Sequence, residues 1–469
     1  MNRYQYLLKN IGLLTLSSFA TKLLSFFLVP LYTNILTTVE YGTYDLFNTT
    51  ISVLLPILTL NIQEAVMRFS MDALYSRKSI VTIATKYLVI ANIFVIIALA
   101  INYFWGISLI VKQYTLFFFL MFLSQSFSGM ITMYIRGIDK ISDLSVSSII
   151  ASGITICLNI LFLVVFPLGL DGYFLANVLG PLIQSIYLIV KNNVLQDIDT
   201  KKKFYKEKKT MTNYSKPLIA NSIAWWINNA SDRYIVIFFC GLAENGIYSV
   251  ASKIPSIINI FQTIFNQAWT LSAVRDFDPE DKNGFFANTY KTYNCVMVII
   301  CSIIIVFDRI LAKFLYAKDF YSAWKFVPWL TIAILFGALS GYIGGFFSAV
   351  KNSKVFAQST IIGAITNIIL NLIFTPLLGA LGASIATAIC YFEVWAYRYV
   401  QSKKYINLKI NLSRDILSYI MLVVQGTLLI IIQQSQFMEI VIFVVILLLY
   451  LNDIIEIANK CLEGLKRKI

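Results

Sequence analysis

The stretch Ser215–Lys253 reads SKPLIANSIAWWINNASDRYIVIFFCGLAENGIYSVASK. An apolar run long enough to cross a bilayer carries Trp225, Trp226, Asn228, Asn229, Asp232 and Arg233. A short turn follows, Glu244-Asn-Gly246-Ile-Tyr248, and a second apolar run then carries Lys253 and Pro255. A helix that only anchors has no need of such groups in hydrocarbon. Each central charge costs roughly 2.5–3.5 kcal/mol on insertion scales, so these side chains face a cavity or a partner. The stretch reads as two spans joined by a tight turn, carrying half of a transport site.

The rest of the chain has the same texture. Of 469 residues, 58% are hydrophobic and only 13% charged, with a mean hydropathy of +0.74. Soluble domains carry about 25% charged residues. Apolar runs recur from end to end, so the expected class is an all-α polytopic membrane protein. At about 20 residues per crossing, about fourteen spans fit, near 10–36, 43–63, 80–102, 107–135, 144–166, 170–190, 215–240, 246–272, 289–315, 327–350, 355–376, 380–400, 414–433 and 437–456. The N-terminus, MNRYQYLLKN, lacks a short apolar region with a small-residue cleavage site, so no cleaved signal peptide is expected.

Lys and Arg set the orientation. With the N-terminus inside, about 30 of them fall in inside segments, and only Lys112, Arg309, Lys313, Lys318 and Lys325 fall outside. Arg398 is counted with the inside group. Both termini are then cytoplasmic, and the net charge of +14 is mostly topological, with no nucleic-acid partner needed. The longest loop, about 191–214, contains KKKFYKEKK and reads as a cytoplasmic linker touching anionic lipid.

Several chemistries are excluded. Histidine is absent, which removes Ser-His-Asp catalysis and histidine relays. The six cysteines are scattered with no CxxC, and five lie in apolar runs, where they read as small buried hydrophobes. No loop is long enough for a catalytic or ATP-binding domain, and no GxxxxGK[ST] occurs. Neither an enzyme nor a cofactor is expected.

The chain repeats itself. Glu40-Tyr-Gly42-Thr-Tyr44 matches Glu244-Asn-Gly246-Ile-Tyr248, and the same offset brings Gln63 onto Gln267. Leu158-Asn159 through Phe162 matches Leu370-Asn371 through Phe374. Gly169-Leu-Asp-Gly172 with Ala176 matches Gly379-Ala-Leu-Gly382 with Ala386. Two parallel six-helix bundles follow, 1–190 and 215–401, with 191–214 as the joint. Residues 402–469 add two helices and a basic cytoplasmic tail. In repeats of this kind the site lies between the halves.

Three cations fall deep in spans: Lys22, Arg233 and Lys253. Lys22 lies roughly 20 Å from the inner end of its span, too deep for easy snorkelling. Adjacent helical residues do not face each other, so Arg233 needs a partner other than Asp232. The bland reading of each is a structural ion pair. The functional one is a set of cations offered to phosphate or pyrophosphate. Asp45, Asp232 and Glu393 are candidate binders of a coupling proton or Na⁺, or plain counter-charges. Trp225 and Trp226 sit too deep for an interface belt and are placed where a sugar can stack. Tyr44 and Tyr248, in the repeated turns, join the candidate substrate-binding set. Tyr41, Tyr44, Trp105, Trp269, Trp324 and Trp329 near span ends read as interface belts. Pro30, Pro56, Pro181 and Pro255 interrupt spans. Gly337, Gly341 and Gly345 read as close helix packing. Asn367 and Asn371, at i and i+4, read as interhelical hydrogen bonding.

The segments PLYTNILTTVEYGTYDLF, SDRYIVIFFCGLAENGIYSVASKIP, FYSAWKFVPWL and LNLIFTPLLGALGASIAT resemble the oligosaccharide flippase (Wzx-like) branch of the MOP exporter superfamily. They run in order from span one to span twelve. The resemblance implies two six-helix bundles forming a V around a cationic cavity, with an appended helix pair. It implies alternating access that moves undecaprenyl-pyrophosphate-linked oligosaccharide, for O-antigen or capsule, across a bacterial cytoplasmic membrane. Polymerase and glycosyltransferase partners would go with that role. Lys22, Arg233 and Lys253 match the branch's phosphate-binding cations by depth and segment. A drug/cation antiporter of the same superfamily would want cavity carboxylates, whereas span one carries Lys22. A non-transporting scaffold for glycan assembly is the other alternative.

Overall fold

The computed structural model describes residues 12, 19–23, 25–72, 74–199, 201–275, 277–350, 352–432 and 434–466. Residues 10, 11, 13–18 and 24 of the first expected span, Arg3, Lys9, Lys351 and the tail cations Arg467 and Lys468 lie outside them, as do the side chains of Asn229 and Gln267. Among the described residues the regular structure is entirely helical. Ten helices are long and apolar enough to cross a membrane, or up to twelve if each of two bent pairs is one span. The protein is a multi-pass membrane protein. The expected fourteen spans are not all recovered. The first is described continuously only from Phe19, with residue 24 again outside, and the segment 246–272 is divided at Ser252 between two helices.

The chain forms two compact units, Met1–Ala230 and Ser231–Ile469. In the first, an apolar helix Phe19–Ile35 ends in α1, Val29–Ile35, with Pro30 in its first turn, where a missing N–H costs nothing. Then come α2 (Thr38–Leu58) and α3 (Ile62–Ser70), bent 63° from each other just after Pro56. The helices α4 (Arg77–Trp105), α5 (Leu109–Gln113), α6 (Thr115–Gly137), α7 (Ile141–Ile160) and α8 (Gly169–Lys191) complete the bundle. A core at one end joins Val66, Phe69, Leu88, Tyr134 and Leu188 to Val194 and Met211, so the lysine-rich segment packs on this unit.

The long helix α9 (Tyr205–Ala251) carries the boundary between the units. It is two helices meeting at Gly241, whose backbone (φ 86°, ψ 177°) is not helical and suits only glycine. The offset that carries Glu40 onto Glu244 carries Thr37 onto Gly241. Thr37 is the extended N-cap of α2, with Glu40 closing a reciprocal capping box. Both copies of the repeat therefore break the chain at the same point.

The second unit continues with α10 (Lys253–Arg275), α11 (Phe285–Leu315), α12 (Val327–Ala349), α13 (Ser353–Leu378), α14 (Ala380–Ser402), α15 (Leu412–Ile431), α16 (Gln436–Leu449) and α17 (Leu451–Lys466). α12 is the most completely buried span. Its glycines admit α10: a Cβ on Gly341 would stand 2.9 Å from Asn266 Nδ2, and one on Gly345 2.6 Å from Trp269 Nε1. Trp269 is not an interface residue as its position suggested. It is buried, stacks 3.9 Å from the Tyr342 ring and donates to Tyr342 O at 2.7 Å. Tyr41 is likewise interior, stacked 4.8 Å from Tyr32. Both rings sit at span ends, but packing between helices claims them before the membrane surface does.

Candidate functional site

In the first unit, the Thr37 capping box holds the start of α2. Glu40 N donates to Thr37 Oγ1 at 3.2 Å, and Thr37 N donates back to Glu40 Oε2 at 2.7 Å. One turn on, Tyr44 is half-buried, with its ring 4.6 Å from Tyr173 and 5.9 Å from Phe174. Tyr32 and Tyr41 complete this aromatic cluster. Asp45 follows, buried on the same helix. Lys22 lies on helical backbone with its side chain exposed. Trp226 is tied to the bundle, donating through Nε1 to Thr49 O at 3.0 Å, while Trp225 is 48% exposed. Nearby, Asn61 donates to Ser222 Oγ at 3.2 Å.

In the second unit, Asp232 is buried and receives the Tyr248 hydroxyl on Oδ2 at 2.5 Å. Its Oδ1 accepts the Arg233 backbone N–H at 2.9 Å. Two of the candidate residues are thus brought together, Asp232 and Tyr248, from either side of the Gly241 break. Arg233 and Lys253 are both half-buried. A polar ladder lies on α13: Asn371 donates to Asn367 O at 2.9 Å, and Asn367 donates to Thr387 Oγ1 of α14 at 3.4 Å. Glu393 is half-buried, and its Oε2 makes no hydrogen bond among the described residues.

Three interior polar groups escaped the sequence reading. Arg398, counted there with the cytoplasmic cations, is buried in α14. It donates to Ser359 Oγ at 2.8 Å, Ser340 O at 3.0 Å and Thr360 Oγ1 at 3.2 Å, and lies 4.1 Å over the Phe356 ring. The signal was available, since Arg398 falls inside the expected span 380–400. Asp308 in α11 is fully buried, and neither carboxylate oxygen makes a hydrogen bond among the described residues. Arg414 on α15 bonds Asp453 on α17 at 2.7 Å and approaches the fully buried Asp415 at 3.4 Å. Tyr450 donates to Asp415 at 3.0 Å and accepts from Asn294 Nδ2 of α11 at 2.9 Å. This network fastens the C-terminal helix pair to α11.

The second unit also holds a cavity of about 1260 Å³ between α10 and α11. Phe261, Phe265, Tyr293, Met297 and Ile300 line its apolar wall, and Asp278, Asp281, Asn283 and Asn288 supply polar lining from the 278–288 segment.

Solved membrane transporters share this helical fold. The lipid II flippase MurJ, in an inward closed conformation, superposes with a TM-score of 0.68 at 16% identity, covering 95% of this chain and 99% of that one. A MATE family multidrug resistance transporter of the MOP superfamily, inward-facing, gives 0.61 at 14% identity over 83% and 94%. A MOP superfamily transporter from Pyrococcus furiosus gives 0.58 at 13% over 84% and 95%. The family of polysaccharide biosynthesis proteins matches residues 7–271, more than half of the chain, and the chain belongs to that family. A probable low-salt glycan biosynthesis flippase of Haloferax volcanii, Agl15, is 24% identical over 196 residues. That match spans 41% of this chain and 41% of the relative's own length.

Proposed function

We propose that this protein is a flippase for a lipid-linked oligosaccharide, moving the repeat unit of a surface polysaccharide such as O-antigen or capsule from the cytoplasmic to the outer leaflet. Membership of the polysaccharide biosynthesis family is the observation that carries the reading. The fold shared with a lipid II flippase supports it. The carrier is undecaprenyl pyrophosphate, and Lys22, Arg233 and Lys253 take the pyrophosphate in a cationic central cavity. Three positive side chains in apolar segments suit a polyanion far better than an organic cation. Trp225, Trp226, Tyr44 and Tyr248 offer ring faces and hydroxyls to the glycan. The apolar-walled cavity between α10 and α11 has the chemistry a prenyl tail requires. Translocation proceeds by alternating access of the two halves, with no covalent step. Asp45, Asp232 or Glu393 binds a coupling proton or Na⁺. The protein resides in the bacterial cytoplasmic membrane with both termini inside, alongside the polymerase and glycosyltransferases of the same pathway.

Deletion in the native host tests this. Lipid-linked repeat units should accumulate on the inner leaflet, and wild-type protein should clear them. A drug antiporter would leave those lipids unchanged on deletion. A scaffold would be rescued equally by Lys22→Gln/Arg233→Gln, which a flippase would not be, at equal folded abundance.

A further inference from the structure

A second basic site lies in the first unit, apart from the deep cations. The start of α4, the segment after Val194–Asp197 and the first turn of α9 enclose a cavity of about 620 Å³. Lys86, Lys202, Lys203 and Lys208 all line it. Among the described residues no carboxylate does. Of the acids near these lysines in sequence, Asp197 Oδ2 accepts the Tyr134 hydroxyl at 3.0 Å, Asp199 Oδ1 accepts the backbone N–H of Lys201 and Lys202, and Glu207, beside Lys208 on α9, does not line the cavity and forms no salt bridge among the described residues. Among the described residues none of the four lysines forms a salt bridge. Two lean instead on rings, Lys208 Nζ 5.6 Å over Tyr87 and Lys202 Nζ 5.5 Å over Phe204.

The cavity has an apolar side too. Val89 and Ile90 line it directly above Lys86 on α4. Residues 86, 89, 90, 93 and 97 share one helix face. Val89, Ile93 and Ile97 on that face are each about half exposed, at 48%, 49% and 50%. From Lys86 to Ile97 the stripe rises about 16 Å at helical pitch, roughly the hydrocarbon depth of one leaflet. Four unneutralised cations at the foot of a leaflet-long apolar stripe call for an occupant with an anionic head and a hydrocarbon tail.

We propose that this cavity binds a resident anionic glycerophospholipid of the leaflet it meets, with the phosphodiester on the lysines and an acyl chain along the α4 stripe. The lipid would pin the lysine-rich segment and the start of α9 to α4. The inference does not depend on what the protein transports, and its test reads no transport.

The test is native mass spectrometry of the full-length protein in non-ionic detergent, with dioleoyl phosphatidylglycerol or dioleoyl phosphatidylcholine added at equal concentration. Wild type should retain the anionic lipid preferentially, and so should a control with Lys201→Gln, Lys206→Gln and Lys209→Gln, three linker lysines outside the cavity. The variant Lys86→Gln/Lys202→Gln/Lys203→Gln/Lys208→Gln should lose at least about tenfold in apparent affinity for the anionic lipid. Should that variant fold poorly, wild type at raised salt gives the same reading, because screening should abolish the preference. Equal retention of both lipids by wild type would overturn the proposal. So would a preference that survives in the cavity variant or in high salt, or displacement of the anionic lipid by equimolar inorganic pyrophosphate.

Discussion

Glu244 Oε1 lies 3.9 Å from the point where a Cβ on Gly379 would stand, and Glu40 Oε1 lies 3.9 Å from the matching point on Gly169. Each glutamate follows a break in the chain, at Thr37 and at Gly241; Gly169 is the first residue of α8 and Gly379 the N-cap of α14. Both glycines have positive φ, 57° at Gly169 and 64° at Gly379. A β-carbon there would be strained by the left-handed backbone, while its 3.9 Å approach to the acid is ordinary contact. Gly169→Ala and Gly379→Ala should each lower stability by about 1–3 kcal/mol, read as a lower melting temperature in detergent. Gly153→Ala, on regular helix with open space around it, should not.

The Thr37 cap makes a smaller, separable prediction. Thr37→Ala removes the acceptor for Glu40 N and should cost about 0.5–2 kcal/mol. Thr37→Asn should restore most of it. Equal melting of all three proteins would contradict the cap.

Arg398 is a buried cation satisfied by two hydroxyls, one carbonyl and one ring. Arg398→Met leaves Ser359, Thr360 and Ser340 O without their donor, at about 1–3 kcal/mol for each group stranded in the interior. Arg398→Lys should not rescue, because one ammonium cannot reproduce the fork. A thermal melt of both variants checks this.

Asp308 gives the opposite sign. Its carboxylate is fully buried without a hydrogen bond among the described residues, and burying an unsatisfied charge is costly. Asp308→Asn should leave the melting temperature unchanged or raise it. A marked drop would mean that the carboxylate has a role its surroundings do not reveal.

The C-terminal pair depends on Arg414. Removing it by Arg414→Gln leaves Asp415 and Asp453 facing each other's charge, and should cost about 3–5 kcal/mol. Asp453→Asn should cost less, and the double variant should be milder than the sum of the two. Strict additivity in that cycle would place the two side chains apart.

Much of this fold is legible in the sequence because a bilayer imposes a simple rule: apolar runs of fixed length, separated by short charged turns. The matching Glu40 and Glu244 segments are visible in the sequence, and in the structure each follows a break in the chain, at Thr37 and at Gly241. Packing between helices was not legible. Trp269 and Tyr41 occupy positions where a belt residue would sit, and only the glycines of α12 and the facing tyrosines decide otherwise. Arg398 was misplaced because a cation count treats every Arg near a span end as solvated. For the candidate site the sequence offers only a list of polar residues in apolar runs. Only the geometry pairs Tyr248 with Asp232 and ties Trp226 to Thr49.

In the proposed transport cycle Lys22, Arg233 and Lys253 receive the pyrophosphate. The most direct measurement is the rate at which a fluorescent undecaprenyl-pyrophosphate oligosaccharide becomes accessible to an external quencher in proteoliposomes. Wild-type protein should equilibrate the two leaflets, and Lys22→Gln/Arg233→Gln/Lys253→Gln, reconstituted at equal density, should be slower by about tenfold or more. A triple variant as fast as wild type, or wild type no faster than protein-free vesicles, would contradict the account.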